Sequence, residues 1–314
     1  MLLMDNQMNY KIVMCGNHEA GWEVIDFLLR NKLKIKYFVC LDNEKAKKHK
    51  ISGYKSFVDL SEQYGIPIYY SNSFSLNDRR DIDFFSQHKF DLLVQGGWQR
   101  LFPKAILDTL RIGAIGVHGS SEFLPKGRGR SPINWSLIEG KKRFIMQYFI
   151  IKPGIDDGDI FHYEMFDITP WDDCKTLYYK NSIITKRVLL KFIPKLLSGD
   201  YNLFPQKGLP TYYPKRVPED GKISWDATVF EIYNFIRAQT KPYPGAYSYI
   251  ISKKIYIWEA IPFDTRISYP DAQIGEIVEI FNKGEYIVNC NSGLLMIRKC
   301  NRKLRIGEVF QNDI

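Results

Sequence analysis

The chain has 314 residues, with 44 Lys+Arg against 35 Asp+Glu and a formal net charge of +9. That length exceeds one small module and fits one large or two ordinary domains. With 45% hydrophobic and 25% charged residues, the composition is globular and excludes a mostly disordered chain. The basic balance leaves three meanings open: a nucleic-acid partner, an anionic small molecule, or only a Lys-rich surface.

The residues from Met1 to Tyr10 include Asp5 and no apolar stretch, so no leader peptide is expected there. No run approaches the roughly 20 apolar residues needed to span a bilayer, and no membrane partner is expected. Cys15, Cys40, Cys174, Cys290 and Cys300 are scattered and contain no CxxC, which argues against a disulfide framework and against a structural zinc site. Reduced thiols in a soluble, cytoplasmic protein are expected.

In chain order, Tyr10 to Cys15 reads as a strand that stops at Gly16-Asn17, and Glu19 to Asn31 has near-helical apolar spacing. Ile35 to Leu41, Pro67 to Tyr70 and Phe90 to Gln95 are further strand-like runs, the last ended by Gly96-Gly97. Helices are expected over Ser56 to Tyr64, Asn77 to His88 and Pro103 to Leu110. This alternation predicts an α/β fold, a Rossmann-like and mostly parallel sheet, with binding loops at the carboxyl ends of the strands. The loops after Cys15, Gln95 and Val117 are therefore the places to search.

Phe144 to Ile151 and Asp159 to Phe166 bracket an acidic turn, and a long helix is expected over Asp172 to Leu197. Pro205, Pro210, Pro214 and Pro218 then mark an extended linker. One helix follows (Ala227 to Ala238), then strand-like runs at Lys254 to Ala260, Gly275 to Phe281, Glu285 to Cys290 and Gly293 to Lys299. The expected division is residues 1–204 as the larger domain and 205–314 as linker plus a smaller, OB-like β-barrel or meander.

Four loop clusters stand out as candidates for chemistry. They are Gly116-Val-His118-Gly-Ser120-Ser121, Leu124-Pro-Lys-Gly-Arg128-Gly-Arg130-Ser-Pro132, Pro153-Gly-Ile-Asp156-Asp157-Gly158, and Arg216 to Trp225 followed by Arg237 and Pro242-Tyr243-Pro-Gly-Ala-Tyr247. Each has a plainer reading: a structural histidine, a solvated basic loop, an Asx turn, a rigid proline turn. HExxH, Walker A, a GxGxxG after the first strand and GxSxG are all missing, and the other histidines lack ligand spacing, so no metal is expected.

Taken in order, His118-x-Ser120, Leu124-Pro125, Arg128-Gly129, Pro132, Trp135 and Asp156-x-Gly158-Asp159-Ile160 resemble the 10-formyltetrahydrofolate-dependent formyltransferases over nearly the whole chain. The ending Pro242-Tyr-Pro-Gly-Ala-Tyr247 looks more like the branch that formylates amino-sugar nucleotides, such as precursors of pseudaminic acid, than like the methionyl-tRNA formyltransferases. The resemblance implies the formyltransferase fold, 10-formyltetrahydrofolate as donor and a nucleotide sugar as acceptor. It also leaves a homodimer open.

On the same ground His118 and Asp156 match the family's catalytic pair. Gly97, Trp98, Leu101, Pro153 and Asp156 would contact the cofactor. Arg128, Arg130, Arg216 or Arg237 would suit a pyrophosphate, and Tyr243 or Trp225 a base. One departure stands out: where the family carries an Asn two residues before the His, this chain has Gly116. Ser120 is the expected replacement donor, with Ser121, Gln99 and Asn134 as alternatives. Two rival functions follow: formylation of initiator tRNA, with Lys45 to Lys50 as a phosphate-binding surface, and folate or nucleotide binding without turnover.

Overall fold

The structure, a computed structural model, describes residues 10–51, 53–281 and 284–312. The stretch before Tyr10, on which the leader-peptide expectation rests, lies outside the described residues.

The first half runs β1 (Ile12–Gly16), α1 (Glu19–Arg30), β2 (Tyr37–Cys40), α2 (Asn43–Lys48), α3 (Val58–Tyr64), β3 (Ile68–Tyr70), α4 (Arg79–His88), β4 (Leu92–Gly96), α5 (Lys104–Leu107) and β5 (Gly113–Ser120). A two-residue strand β6 (Arg128–Gly129) and α6 (Pro132–Ile138) lead into β7 (Arg143–Ile151), β8 (Gly158–Asp167) and α7 (Cys174–Ser198). All five residues of β1 are buried, as a central strand covered on both faces requires. His18 caps α1, its Nδ1 accepting from the Ala20 N–H at 3.1 Å, and the helix buries Ile25, Leu28 and Leu29. Burial holds the His18 imidazole below its ordinary pKa.

The main sheet has seven strands in the order β3-β2-β1-β4-β5-β7-β8. Strands β1 to β5 pair in parallel, while β7 runs antiparallel to β5 with His118 opposite Gln147. The order reverses between β1 and β4, which creates the crevice at their carboxyl ends where ligands bind in such sheets. The helix α2 grows from the Lys-rich stretch because Asp42 caps it, accepting from the Lys45 N–H at 2.7 Å.

The rest comprises β9 (Tyr212–Tyr213), a 3-10 turn at Pro218–Gly221, α8 (Val229–Arg237), β10 (Ala246–Ile250), β11 (Lys253–Asp264), β12 (Ile277–Ile280), β13 (Tyr286–Cys290) and β14 (Gly293–Cys300). The last five form an antiparallel sheet in the order β10-β11-β14-β13-β12. Its edges are joined by the C-terminal segment: Phe310 donates to Gly275 and Gln311 to Tyr249. Strand β10 adds to the strand-like runs expected from the sequence, its residues following directly on the Pro242–Gly245 turn. Trp225 is 1% exposed and stacks on Phe310 at 4.8 Å between centroids. Its indole N–H donates to Ser248 Oγ at 2.9 Å. This corrects its reading as a base-stacking residue, since a fully enclosed indole offers no face to a ligand.

The contacts divide the chain into two units that do not follow chain order. One runs to Arg128 and adds Ile145–Met165 and Lys180–Thr211; the other takes Gly129–Phe144, Phe166–Tyr179 and the chain from Tyr212 onward. The expected 1–204 stretch thus contributes to both, because α6 belongs with α8: Asn134 Nδ2 donates to the Ala238 carbonyl at 2.6 Å. Among the described residues no helix is long and apolar enough to cross a membrane.

Candidate active site

His118 stands near the end of β5 and is 6% exposed. Its Nε2 lies 2.8 Å from the Gly127 carbonyl, and its Nδ1 lies 3.4 Å from Asp156 Oδ2. A carbonyl only accepts, so Nε2 carries the hydrogen and, in the neutral ring, Nδ1 turns its lone pair toward Asp156. Two acceptors, Nδ1 and a carboxylate, therefore face each other across a gap that a single proton joins. Asp156 sits in the left-handed region (φ +49°), which an Asp tolerates better than most residues, and this turn brings its carboxylate to the imidazole.

The acidic turn is held from behind. Arg128, 8% exposed, donates from one terminal nitrogen to Asp157 Oδ1 at 3.0 Å and to Gln206 Oε1 at 2.6 Å. Gln206 in turn donates to the carbonyls of Asp156 (3.0 Å) and Gly158 (2.9 Å). Reasoning from sequence missed Gln206 and the Gly127 carbonyl. Neither leaves a signal, since one is an amide in a proline-rich linker and the other is backbone.

Gly116 and His118 lie two residues apart on one face of β5. A Cβ at Gly116 would fall 2.4 Å from Cε2 of Phe149, so the Phe149 ring fills the space above it. The expected substitute donor, Ser120, is fully buried, donates to the Glu122 carbonyl at 2.8 Å and accepts from the Glu122 N–H at 3.0 Å. Its one hydroxyl proton is thus committed to the turn after β5. Asn134 is buried in the other unit and donates to Ala238.

A cavity of about 90 Å³ adjoins the pair, lined by Gln95, Leu101, Gly116, Phe149, Lys152 and Asp156 among others. Pockets that enclose drug-sized ligands run to ~300–1,000 Å³, so only a ring-sized end enters here. Its mixed lining, apolar Leu101, Val117, Phe149 and Ile151 with polar Gln95, Lys152 and Asp156, suits a flat heteroaromatic ring. Of the residues expected at a cofactor, Leu101 and Asp156 line this cavity, and Pro153 is exposed in the same turn as Asp156. Trp98 is 2% exposed, packed on Phe74 and Phe102, and does not line it. Gly97 serves geometry: its φ is +84°, and a Cβ would lie 2.5 Å from that of His18.

The remaining expected substrate residues lie in the second unit. Arg130 is exposed, and its backbone N–H donates to the Tyr213 carbonyl at 3.0 Å. Arg216 spans Trp135 and Phe235 and donates to the Asp220 carbonyl and to Gln239. Arg237 is a clamp, its guanidinium donating to the carbonyls of Thr169 and Asp172 and to Asn234 Oδ1. Burial lowers the pKa of both guanidiniums. Tyr243 OH pairs with Tyr178 OH at 2.5 Å, and burial pushes its phenol up. Among the described residues no group of three or more His, Cys, Asp or Glu could hold a metal.

The chain matches a family model described as "Formyl transferase" over residues 8–193 and one described as "Formyl transferase, C-terminal domain" over 215–310. It is 31% identical over 289 residues to a bifunctional polymyxin resistance protein ArnA of Wigglesworthia glossinidia brevipalpis, covering 91% of this chain and 42% of that protein. It is 34% identical over 209 residues to a methionyl-tRNA formyltransferase of Thermodesulfovibrio yellowstonii, covering 67% of this chain and 64% of the relative. The chain thus spans less than two thirds of the length of either. Its fold is similar to that of an N-formyltransferase from Helicobacter canadensis solved with folinic acid and dTDP-3-aminofucose. The TM-score is 0.65 at 18% identity, over 95% of this chain and 99% of that one.

Proposed function

The chain belongs to the formyl transferase family, and from that premise we propose that it transfers a formyl group from 10-formyltetrahydrofolate to the amine of an amino-sugar nucleotide. The observation that carries the reading is the His118–Asp156 pair, 3.4 Å apart beside a ring-sized cavity. The folate, when bound, supplies an activated formyl carbon on a nitrogen leaving group.

As a neutral amine attacks that carbon it must lose a proton. Nδ1 of His118 accepts it, and the resulting imidazolium is stabilised by the Asp156 carboxylate in a charge-assisted hydrogen bond. The same proton returns to the departing nitrogen, so the pair ends as it began. The Gly127 carbonyl keeps the ring oriented throughout, and the Arg128–Gln206 brace keeps the Asp156 turn in place. Of the residues named for the folate, Leu101, Pro153 and Asp156 remain the proposed contacts, while Gly97 and Trp98 would act only indirectly, by packing behind the loop that carries Leu101. The exposed Arg130 is the guanidinium proposed for the acceptor's diphosphate. The Helicobacter canadensis structure, which holds a reduced folate and a dTDP-amino sugar, supports this acceptor class.

The test is a screen of amino-sugar nucleotides, including pseudaminic-acid precursors, with 10-formyltetrahydrofolate, read as a mass gain of one formyl group. The methionyl-tRNA formyltransferase relative favours a second reading, in which initiator tRNA is the acceptor. Charged initiator tRNA belongs in the same screen, and its formylation with none of the sugars would replace the first reading with the second.

A further inference from the structure

The second unit contains a cavity of about 210 Å³ that formyl transfer leaves unused, with all its lining residues in that unit. Its wall is built by an irregularity in the sheet. Along β11 and β14, Ile257 pairs with Cys300, Glu259 with Lys299 and Ala260 with Ile297. Between the first two pairs β11 holds one extra residue, Trp258; between the next two β14 holds one extra, Arg298. The two shifts oppose each other and cancel, so Ala260 to Pro262 pair in the register that Ile257 and Cys300 set, before a further shift between Pro262 and Asp264. Bulges re-aim side chains and gather beside binding sites. Both displaced residues line the cavity.

Trp171, 79% exposed on the approach to α7, lines the same cavity. Arg298 is exposed and has no ion-pair partner among the described residues. Asp173 uses one carboxylate oxygen to accept from the Thr176 N–H, and Glu259 has only the exposed Lys299 at 3.6 Å. Two indoles thus stand beside Arg298, Asp173 and Glu259, while the other charged lining residues, Asp172 and Arg237, are engaged by Thr169 and Thr176 and by backbone carbonyls. A phosphate would meet Asp173 and Glu259, and an ammonium would meet Arg298, so either charge is opposed. A ring with an apolar C–H face and hydroxyls that both donate and accept can meet the indoles, Arg298 and the two carboxylates together. The volume lies below the ~300–1,000 Å³ of pockets for larger ligands, which limits the occupant to one ring.

We propose that this cavity is a saccharide-binding site for a single neutral pyranose, stacked on indole and hydrogen-bonded by Arg298, Asp173 and Glu259. The proposal is independent of the formyl-transfer reading, and its test does not use turnover. Indole N–H signals of ¹⁵N-labelled full-length protein would be followed on titration with methyl glucopyranoside, N-acetylglucosamine, glucosamine, glucuronate and thymidine diphosphate, Trp171→Phe assigning its own signal. The expected result is saturable shifts of the Trp171 and Trp258 signals with the two neutral sugars and at least tenfold weaker binding of the charged probes. Trp171→Ala (followed at Trp258) and Arg298→Gln should each weaken binding at least tenfold at an unchanged unfolding midpoint, while Trp171→Phe retains most of it. The proposal is overturned by no saturable shift with either neutral sugar, by tighter binding of a charged probe, or by shifts that survive both variants.

Discussion

The ring of Phe149 occupies the space directly above Gly116, where a Cβ would lie 2.4 Å from its Cε2. The two positions are opposite each other on β5 and β7, so the missing side chain at one is matched by a large one at the other. Gly116→Asn alone should overpack this spot and cost about 1–3 kcal/mol. Gly116→Asn combined with Phe149→Ala should lose less stability than the two single changes summed, because the ring that clashes is gone. Urea unfolding of the four proteins gives the coupling, and strict additivity would mean the two side chains do not compete for one space.

His118→Ala and Asp156→Asn separate chemistry from stability. Each should lower kcat by about 10²–10⁴, the usual share of a positioned acid–base group. His118→Ala should also destabilise by about 1–3 kcal/mol, since the Gly127 carbonyl loses its donor inside the protein. Asp156→Asn, at a partly exposed position, should leave the unfolding midpoint near that of the parent. Full activity in either variant would remove the pair from the mechanism.

Arg128 and Arg130 stand two residues apart with opposite expected phenotypes. Arg128→Met should cost about 2–3 kcal/mol by stripping Asp157 and Gln206 of a charged donor. Arg130→Met should stay within about 0.5 kcal/mol of the parent in stability. It should raise the acceptor KM roughly tenfold or more, the worth of one charge-assisted hydrogen bond. Thermal melts and steady-state kinetics decide, and an unchanged KM in Arg130→Met would send the diphosphate elsewhere.

The thiols set an alkaline limit. Cys174 and Cys290 are pushed up to about 12 by burial, and Cys15 and Cys40 are also raised by burial. Between the ordinary thiol value near 8.5 and about 12, the folded chain holds protons that the unfolded chain has released. Stability contributed by these groups is therefore complete below that window and lost as pH rises through it. Urea unfolding under reducing conditions at pH 7, 9 and 10 should show a steady fall, and a flat profile would contradict it. A thiol-reactive dye at pH 7 should label Cys300, the only half-exposed one, before the other four.

Much of this was legible before folding. Apolar runs punctuated by Gly and Pro located most strands and helices to within a few residues, because burial on both faces of a parallel sheet leaves continuous hydrophobic stretches. Strand β10 escaped because Ala246 to Ile250 alternates no differently from the turn before it.

The residue types and their order alone determined the family resemblance, the strand–helix alternation and the choice of His118 and Asp156, since local patterning and the acid–base repertoire of side chains are properties of the chain itself. Tertiary structure alone decided which nitrogen of His118 faces Asp156, that Ser120 is spent on its own turn, and that Gln206 braces the acidic loop. It also decided that two bulges bring Trp258 and Arg298 into one cavity wall. Those facts depend on backbone carbonyls, on register and on residues brought together from distant points, and none of these is written in the spacing of side chains along the chain.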